Sequence, residues 1–194
     1  MDIGIGLFGL GTVGSGVVKI LQDNADQIAK RTGTHLLVKH AVVNNLEKKR
    51  TGFINNFPIT NDAKDILNNP EIQIVVEVMG TLDQAYKIIK DSLTAKKHVV
   101  TANKDLIASR GQELVAIAEA NGVDLFFEAA VAGGIPILRT LANSFTADEI
   151  SRVAGIINGT SNFILTQMTT NKLSYANALQ LAQKKGFAEA DPTN

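Results

Sequence analysis

The chain of 194 residues contains no cysteine. Disulfides and thiolate metal sites are therefore excluded, and so is every mechanism that uses a thiol nucleophile. A dehydrogenase that forms a thiohemiacetal, such as a phosphorylating semialdehyde dehydrogenase, is excluded for the same reason. The absence of cysteine thus narrows the enzyme classes that are open to the chain.

Net charge is also absent, because 19 basic side chains balance 19 acidic ones. A chain without a basic excess lacks the electrostatic footprint of a protein that binds nucleic acid or an anionic membrane. No run approaches the roughly 18 consecutive apolar residues that a membrane-spanning helix requires, and the acidic Asp2 stands where a signal peptide would be basic. We expect a cytoplasmic protein whose partners are small molecules, with no nucleic acid and no membrane.

What the sequence does contain is a glycine turn between an apolar strand pattern and a helix pattern. The turn is Gly9-Leu10-Gly11-Thr12-Val13-Gly14. In this context the first glycine allows a tight turn, the second lets a pyrophosphate approach the backbone, and the third lets helix and strand pack closely. The pattern predicts a dinucleotide site, and the alternative is a glycine-rich turn that binds nothing. The residues expected to contact the cofactor here are Phe8, Gly9, Gly11, Thr12, Val13 and Gly14.

Apolar, β-branched segments alternate with helix patterns along most of the chain. Strands are predicted at residues 3–8, 36–43, 72–78, 98–101 and 123–127, and the first helix from about Thr12 to Ile28. This alternation is typical of a doubly wound parallel sheet, so the predicted class is α/β with a Rossmann-type fold.

The pattern changes near Gly133, where a domain boundary is predicted. Residues 1–132 are expected to form the dinucleotide-binding domain. Residues 133–194 are expected to begin an α+β substrate and dimerisation domain that is incomplete in this chain. A strand is predicted there from Val153 to Ile157, followed by a turn at residues 158–162 and a helix. The turn could contact a ligand, and the alternative is a simple N-cap by Thr160 or Ser161.

In a Rossmann domain, residues at the end of the second strand determine the preference for NAD or NADP. Asn44 lies where NAD-specific proteins carry a carboxylate, and Lys48, Lys49 and Arg50 follow. Because no acid repels a 2′-phosphate, we expect NADP, with NAD as the other option and with Asn44 and Arg50 among the contacts. The alternative is a basic loop that is merely solvated.

Two further strand ends lie at the same predicted edge of the sheet. Gly80 and Thr81 follow the third strand and are expected to lie against the cofactor, and Thr81 is also a candidate N-cap for the next helix. The fourth strand ends at Thr101, and Ala102-Asn103-Lys104 follows it.

Five motifs, in order along the chain, resemble homoserine dehydrogenase. They are the glycine turn, Thr101-Ala102-Asn103-Lys104, the segment from Glu128 to Pro136, Asn158-Gly159-Thr160-Ser161-Asn162, and Glu189-Ala190-Asp191-Pro192-Thr193. The resemblance covers essentially the whole chain. It implies the reversible interconversion of L-homoserine and L-aspartate 4-semialdehyde with NAD(H) or NADP(H), a step toward threonine and methionine. It also implies that the whole enzyme is a homodimer.

The resemblance assigns two charged residues to the active site. Lys104 would lie at the nicotinamide end, hold cofactor and substrate, and help to stabilise an alkoxide-like oxygen. Glu189 would pair with the ammonium group of homoserine. The alternative for each is a solvated surface side chain.

Glu128, with the backbone carbonyls of Val131, Gly133 and Ile135, resembles the family's monovalent-cation site, which usually holds sodium. Oxygen ligands suit a hard cation, and a carboxylate lowers the cost of burying one. An ion here would be structural and would fix the hinge between the domains. The alternative is that Glu128 only caps its loop through hydrogen bonds.

The sequence departs from the family mainly in length. In the family, a further aspartate and a lysine that act on the substrate oxygen follow the Asp-Pro-Thr motif. The main general acid is therefore expected beyond residue 194, and the chain is expected to be a truncated and inactive piece of the enzyme. Loss of a proton-transfer group costs about 10²- to 10⁴-fold in rate. Two alternatives stay open: another Rossmann oxidoreductase acting on a small polar substrate, and a non-catalytic NAD(P)-binding module.

Overall fold

The computed structural model describes residues 2–50 and 56–188. The chain divides into two compact units, residues 1–144 and 145–194, and each is described by itself. The boundary predicted at Gly133 from sequence stays a prediction. Among the described residues, no helix combines the length and the apolar character that crossing a membrane requires.

The first unit is built on one parallel sheet of six strands in the order β3-β2-β1-β4-β5-β6, and every neighbouring pair is parallel. The predicted doubly wound α/β fold is confirmed. The two-residue β3 was not predicted, because a strand this short has no detectable alternation. The strands are β1 (Asp2–Phe8), β2 (His35–Val42), β3 (Ile59–Thr60), β4 (Ile72–Glu77), β5 (His98–Thr101) and β6 (Leu125–Phe126).

Helices cover both faces of this sheet. They are α1 (Thr12–Asp23), α2 (Ala25–Thr32), α3 (Lys64–Leu67), α4 (Asp83–Thr94), α5 (Lys104–Asn121) and α6 (Ile137–Arg139), with a 3₁₀ turn at Glu128–Ala130 and a π turn at Thr140–Ser144. The single helix predicted over residues 12–28 is wrong, because the chain leaves helical geometry at Asn24, which has φ −114° and ψ 18°. The Asn24 side chain also donates to the Ile20 carbonyl, a local bond of the kind that competes with helix continuation.

Two apolar clusters lie on the two faces of the sheet, because successive strand residues point to opposite sides. Phe8 and Val75 belong to one cluster, whereas their neighbours Leu7 and Val76 belong to the other. The first cluster packs against α3, α4 and α5, and the second receives Val18 of α1. The carboxyl ends of β1, β2 and β4 are thereby held as one rigid edge.

The second unit contains α7 (Gly159–Thr170) and α8 (Tyr175–Lys184), which pack through Ile164, Ala178 and Ala182. The predicted cap at Thr160 or Ser161 is wrong, because the Asn158 side chain accepts from the Ser161 N–H instead.

The predicted strand from Val153 to Ile157 is also wrong. Residues 151–158 have no regular secondary structure, and Val153, Ile156 and Ile157 are exposed. β-Branched residues favour an extended chain, but a strand also needs a neighbour for its backbone groups. No strand of the described residues pairs with this segment.

Candidate active site

The glycine turn joins the carboxyl end of β1 to the start of α1. Gly9 has φ +96°, and a Cβ there would lie 2.7 Å from the Val78 carbonyl oxygen, so only glycine fits. The Gly9 N–H donates to the Val42 carbonyl at 3.0 Å. A Cβ at Gly14 would lie 2.1 Å from the Gly9 carbonyl oxygen, which makes glycine necessary there as well. The turn is therefore packed tightly on its protein side.

Gly11 differs from these two glycines because its open side faces no protein atom. A Cβ at this position would have no heavy atom within 4 Å. Gly11 is also the N-cap of α1, and no side chain caps the helix or supplies an acidic group in its first turn. The N–H groups of the first turn are thus free to bind an anion, which the helix dipole favours. A bound pyrophosphate fits this geometry. Thr12 and Val13 are exposed in the same turn.

A cleft of about 280 Å³ lies beside the turn. It is lined by residues from the ends of β1, β2 and β4 and from the segments that follow them. Five of the residues predicted to contact the cofactor line it, namely Phe8, Gly9, Gly11, Asn44 and Arg50. Other residues that line it were not predicted as contacts, and Lys48, Asn61, Met79 and Gln84 are among them. Met79 directly follows the strand predicted at residues 72–78, so its place at a strand end was predictable from sequence, whereas Asn61 follows the unpredicted β3.

Arg50 holds one wall of the cleft together. Its guanidinium donates to three backbone carbonyls: Nε to Leu10 at 3.2 Å, Nη1 to Lys48 at 2.7 Å and Nη2 to Asn45 at 2.8 Å. Leu10 belongs to the glycine turn, so Arg50 ties the segment after β2 to that turn. Arg50 lines the cleft, but much of its donor capacity is used by the protein backbone.

The residues that line the cleft carry two positive charges and no negative one. Lys48 and Arg50 are the basic residues, and no aspartate or glutamate of the described residues lines it. The ammonium of Lys48 makes no hydrogen bond or ion pair to a described residue. The cleft therefore favours an anionic ligand.

The second part of the site lies at the ends of β4 and β5. Gly80, Thr81 and Lys104 do not line the cleft beside the glycine turn. They are linked to each other instead, because the Asn103 side chain donates from Nδ2 to the Thr81 carbonyl at 2.7 Å. Asn103 also caps α5 by accepting from the Leu106 N–H at 3.2 Å.

Lys104 is the first residue of α5, and its side chain is exposed with no hydrogen bond or ion pair among the described residues. Gly80 has φ +74°, so the turn after β4 uses a backbone conformation that glycine adopts readily. The prediction that Thr81 caps α4 is wrong, because Leu82 occupies the N-cap and no side chain caps that helix.

Glu128 caps the chain that follows it through hydrogen bonds, which is the role expected in the alternative to a cation site. Its Oε1 accepts from the Leu138 N–H at 2.9 Å, and its Oε2 accepts from the Arg139 N–H at 3.0 Å. The Arg139 Nε lies 3.8 Å from Oε2. The carboxylate therefore binds the first turn of α6, whether or not it also binds an ion.

The loop after Glu128 contains the three carbonyls that were predicted to join it. The Ile135 carbonyl accepts from the Ile137 N–H at 2.8 Å. The carbonyls of Val131 and Gly133 accept no hydrogen bond from a described residue. Carboxylate and carbonyl oxygens are a donor set that suits a hard cation. The other predicted charged residue, Glu189, lies outside the described residues.

Two family models match the chain. One is described as the NAD-binding domain of homoserine dehydrogenase and matches residues 9–128. The other is described as homoserine dehydrogenase and matches residues 136–194.

Curated relatives carry the same description. The homoserine dehydrogenase of Bacillus subtilis (strain 168) is 50% identical over 192 residues, which make up 99% of this chain and 44% of the relative. That of Corynebacterium glutamicum is 43% identical over 191 residues, which make up 98% of this chain and 43% of the relative. The chain thus spans less than half the length of these relatives.

Solved structures agree with both comparisons. A homoserine dehydrogenase from Thiobacillus denitrificans matches with a TM-score of 0.91 and 47% identity, covering 100% of this chain and 44% of that one. A hyperthermophilic archaeal homoserine dehydrogenase in complex with NADPH matches with a TM-score of 0.78 and 28% identity, covering 100% of this chain and 64% of that one. With a family model over more than half of its length and a glycine turn shaped for a dinucleotide, the chain belongs to the homoserine dehydrogenase family.

Proposed function

We propose that this chain is the cofactor-binding part, and the beginning of the substrate-binding part, of an enzyme that interconverts L-homoserine and L-aspartate 4-semialdehyde. The observation that carries the proposal is the open side of Gly11 at an uncapped helix start, beside an acid-free cleft, in a chain of this family. Because the chain spans less than half of its curated relatives, the activity is proposed for a protein that contains it.

The parts of the site are proposed to hold different parts of a dinucleotide. The pyrophosphate would lie against Gly11 and the first turn of α1. The end of β2, with Asn44 and the adjacent basic loop, would receive the adenosine ribose. The turn at Gly80 and Thr81 would receive the nicotinamide end, and the bound nicotinamide would supply hydride transfer.

Lys104 is proposed to bind the reacting substrate oxygen. An ammonium beside an oxygen that gains negative charge stabilises the transition state. The stability of α5 does not explain a lysine at this position, because the helix dipole opposes a cation at its N-terminus by about 0.3–1 kcal/mol. Glu189 is proposed to pair with the substrate ammonium. A further acid, which the resemblance assigns beyond residue 194, would handle the proton.

NADP(H) is proposed as the preferred cofactor. Lys48 and Arg50 line the cleft, and no acidic residue within 2–50 or 56–188 does, so a 2′-phosphate would be attracted without repulsion. The archaeal relative was solved in complex with NADPH.

A monovalent cation, sodium, is proposed to bind Glu128 and the carbonyls of Val131, Gly133 and Ile135. The support is the donor set described above, in which two carbonyls have no other partner among the described residues. The homodimer is proposed from the resemblance, and the cytoplasmic location and a domain boundary at Gly133 are proposed from the sequence patterns alone.

The proposed function is tested by filling the space beside Gly11. Gly11 has φ −87°, which any residue adopts, so Gly11→Val should fold normally. The added side chain would occupy the place of the pyrophosphate, and we expect NADPH binding to weaken by about tenfold or more. Titration of NADPH, followed by its fluorescence, measures the affinity, and urea denaturation measures the stability.

Gly16→Ala is the matched control, because Gly16 lies in α1 and a Cβ there would also have no heavy atom within 4 Å. Alanine at this position should stabilise the helix by about 1 kcal/mol and leave the affinity for NADPH unchanged. The proposal fails if the wild-type chain does not bind NADPH, or if Gly11→Val binds it as tightly as the wild type.

A further inference from the structure

Glu77 is a buried acid at the edge of the sheet that carries the proposed nicotinamide site. It is the last residue of β4 and is 0% exposed. Its Oε1 accepts from the Met79 N–H at 2.8 Å, and its Oε2 accepts from the Thr101 hydroxyl at 2.6 Å. A carboxylate is costly to bury and is tolerated when donors satisfy it, as they do here.

The hydrogen bonds continue from Thr101 to the start of α5. The Thr101 hydroxyl donates its hydrogen bond to Glu77, so its oxygen is free to accept from the Asn103 N–H at 3.1 Å. The Asn103 side chain then links the Thr81 carbonyl to the Leu106 N–H. Lys104 follows Asn103 directly. One connected network therefore joins the turn after β4 to the helix that begins with Lys104.

The Thr101 hydroxyl is the one donor of this network that can turn, and it donates to Glu77 because both carboxylate oxygens are acceptors. An amide in its place would present a donor to either Met79 N–H or Thr101 O–H, and both of those groups are donors already. Thr101 would have to turn its hydroxyl, which would compete with its bond to Asn103. A change at Glu77 is thus expected to move the residues around Lys104, although Glu77 is buried beneath them.

We propose that Glu77 is a positioning residue that acts through Thr101 and Asn103 to hold the Met79–Thr81 turn and Lys104 in place for the nicotinamide end of the cofactor. The inference rests on the proposed function, because it assumes that a dinucleotide binds at this edge. It adds a residue that touches neither cofactor nor substrate.

The test compares two ligands that differ only at the nicotinamide end. NADPH has this end, and 2′-phospho-ADP-ribose lacks it but keeps the pyrophosphate and the 2′-phosphate. With Glu77→Gln, we expect the affinity for NADPH to fall by about tenfold and the affinity for 2′-phospho-ADP-ribose to change by less than about twofold. A general loss of structure would weaken both ligands equally.

Two controls separate positioning from stability. Thr101→Val removes the hydroxyl and should reproduce the selective loss, whereas Thr101→Ser keeps the hydroxyl and should bind both ligands as the wild type does.

Lys97→Met alters another buried charged residue, at the opposite end of β4 and β5. There Lys97 donates to the Asn69 and Ile72 carbonyls. It should lower the stability without changing the ratio of the two affinities.

The inference is overturned if Glu77→Gln leaves both affinities unchanged or lowers them by the same factor. If Glu77→Gln does not fold, the inference is tested with Thr101→Val and Thr101→Ser instead. It is overturned if the ratio of the affinities for NADPH and 2′-phospho-ADP-ribose is the same in Thr101→Val as in the wild type. A wild-type chain that binds 2′-phospho-ADP-ribose and NADPH supports the proposed cofactor site whatever Glu77 does. A wild-type chain that binds neither removes both proposals together.

Discussion

Lys48 and Arg50 line the cleft, and they differ in the hydrogen bonds that their side chains make within the protein. The Arg50 guanidinium donates to three backbone carbonyls, one of them in the glycine turn. The Lys48 ammonium has no such partner among the described residues. Arg50 therefore shapes the cleft, and Lys48 is the better placed of the two to bind an added phosphate.

Lys48→Ala should distinguish NADPH from NADH. The 2′-phosphate of NADPH is the only group that the two cofactors do not share, and a lysine beside it contributes a charge-assisted hydrogen bond. We expect the affinity for NADPH to fall by about tenfold and that for NADH by less than about twofold. Both affinities are measured by fluorescence titration at one fixed ionic strength, because the interaction is screened by salt.

Lys49→Ala is the control for Lys48→Ala, since Lys49 is an exposed neighbour that does not line the cleft. It removes the same net charge and should change neither affinity by more than about twofold. Equal losses for NADPH and NADH in Lys48→Ala would contradict the assignment of Lys48 to the 2′-phosphate.

At the scale of one element, the short helix α6 depends on Glu128. Both carboxylate oxygens accept from its first-turn N–H groups, and loss of such a cap costs about 0.5–2 kcal/mol. If the proposed sodium also binds, NaCl should raise the melting temperature above that in choline chloride of equal ionic strength. Glu128→Gln should lose this difference as well as the stability of the cap.

Arg139→Met is the matched variant for Glu128→Gln. It removes the guanidinium 3.8 Å from the carboxylate and leaves the carboxylate in place. Arg139 is exposed and Glu128 is half-buried, and the ion pair is long, so we expect a change of less than about 1 kcal/mol and an unchanged response to sodium. A wild-type protein that melts at the same temperature in both salts would restrict Glu128 to its role as a cap.

The elements that were predictable from sequence are those with long apolar patterns. β1, β2, β4 and β5 are runs of apolar residues that are buried in a parallel sheet, and their order along the chain sufficed to predict the fold class. β3 has only Ile59 and Thr60 and leaves no pattern. The break at Asn24 depends on one residue's backbone angles, and a strand at residues 153–157 would depend on a pairing that composition does not reveal.

The same division holds for the candidate site. The glycine turn was predictable because each of its glycines has a separate steric reason, and the structure gives Gly9 and Gly14 those reasons. The partners of Arg50 and Glu128 were not predictable, since they are backbone carbonyl and N–H groups, which no side-chain pattern reveals. Glu77 was missed because it follows four apolar residues and one polar residue in a strand, where a single acid resembles a residue at a solvated strand end.

At the scale of the whole molecule, one buried cation links folding to pH. Lys97 is buried, and its ammonium donates to the carbonyls of Asn69 at 2.7 Å and Ile72 at 2.6 Å. Burial lowers the pKa of Lys97 below its ordinary value. The folded protein therefore releases this proton at a lower pH than the unfolded chain does.

The sign of the effect on stability follows from proton counts. Between the lowered folded pKa and the unfolded pKa of about 10.4, the unfolded chain binds more protons at this site, so the free energy of unfolding rises with pH. The contribution of Lys97 is fully present above the unfolded pKa and is lost as pH falls through the folded pKa. Lys97→Met has no such proton to lose.

We therefore expect the wild type to gain stability relative to Lys97→Met as the pH is raised from 7 to about 10. Urea denaturation of both proteins at each pH measures this, and taking their difference cancels every other titrating group that both share. Lys96→Met, at an exposed neighbour, should show no such change relative to the wild type. If the difference between the wild type and Lys97→Met stays constant or shrinks as the pH rises, burial does not control the proton at Lys97, and the two carbonyls hold a cation that the fold tolerates at no measurable cost.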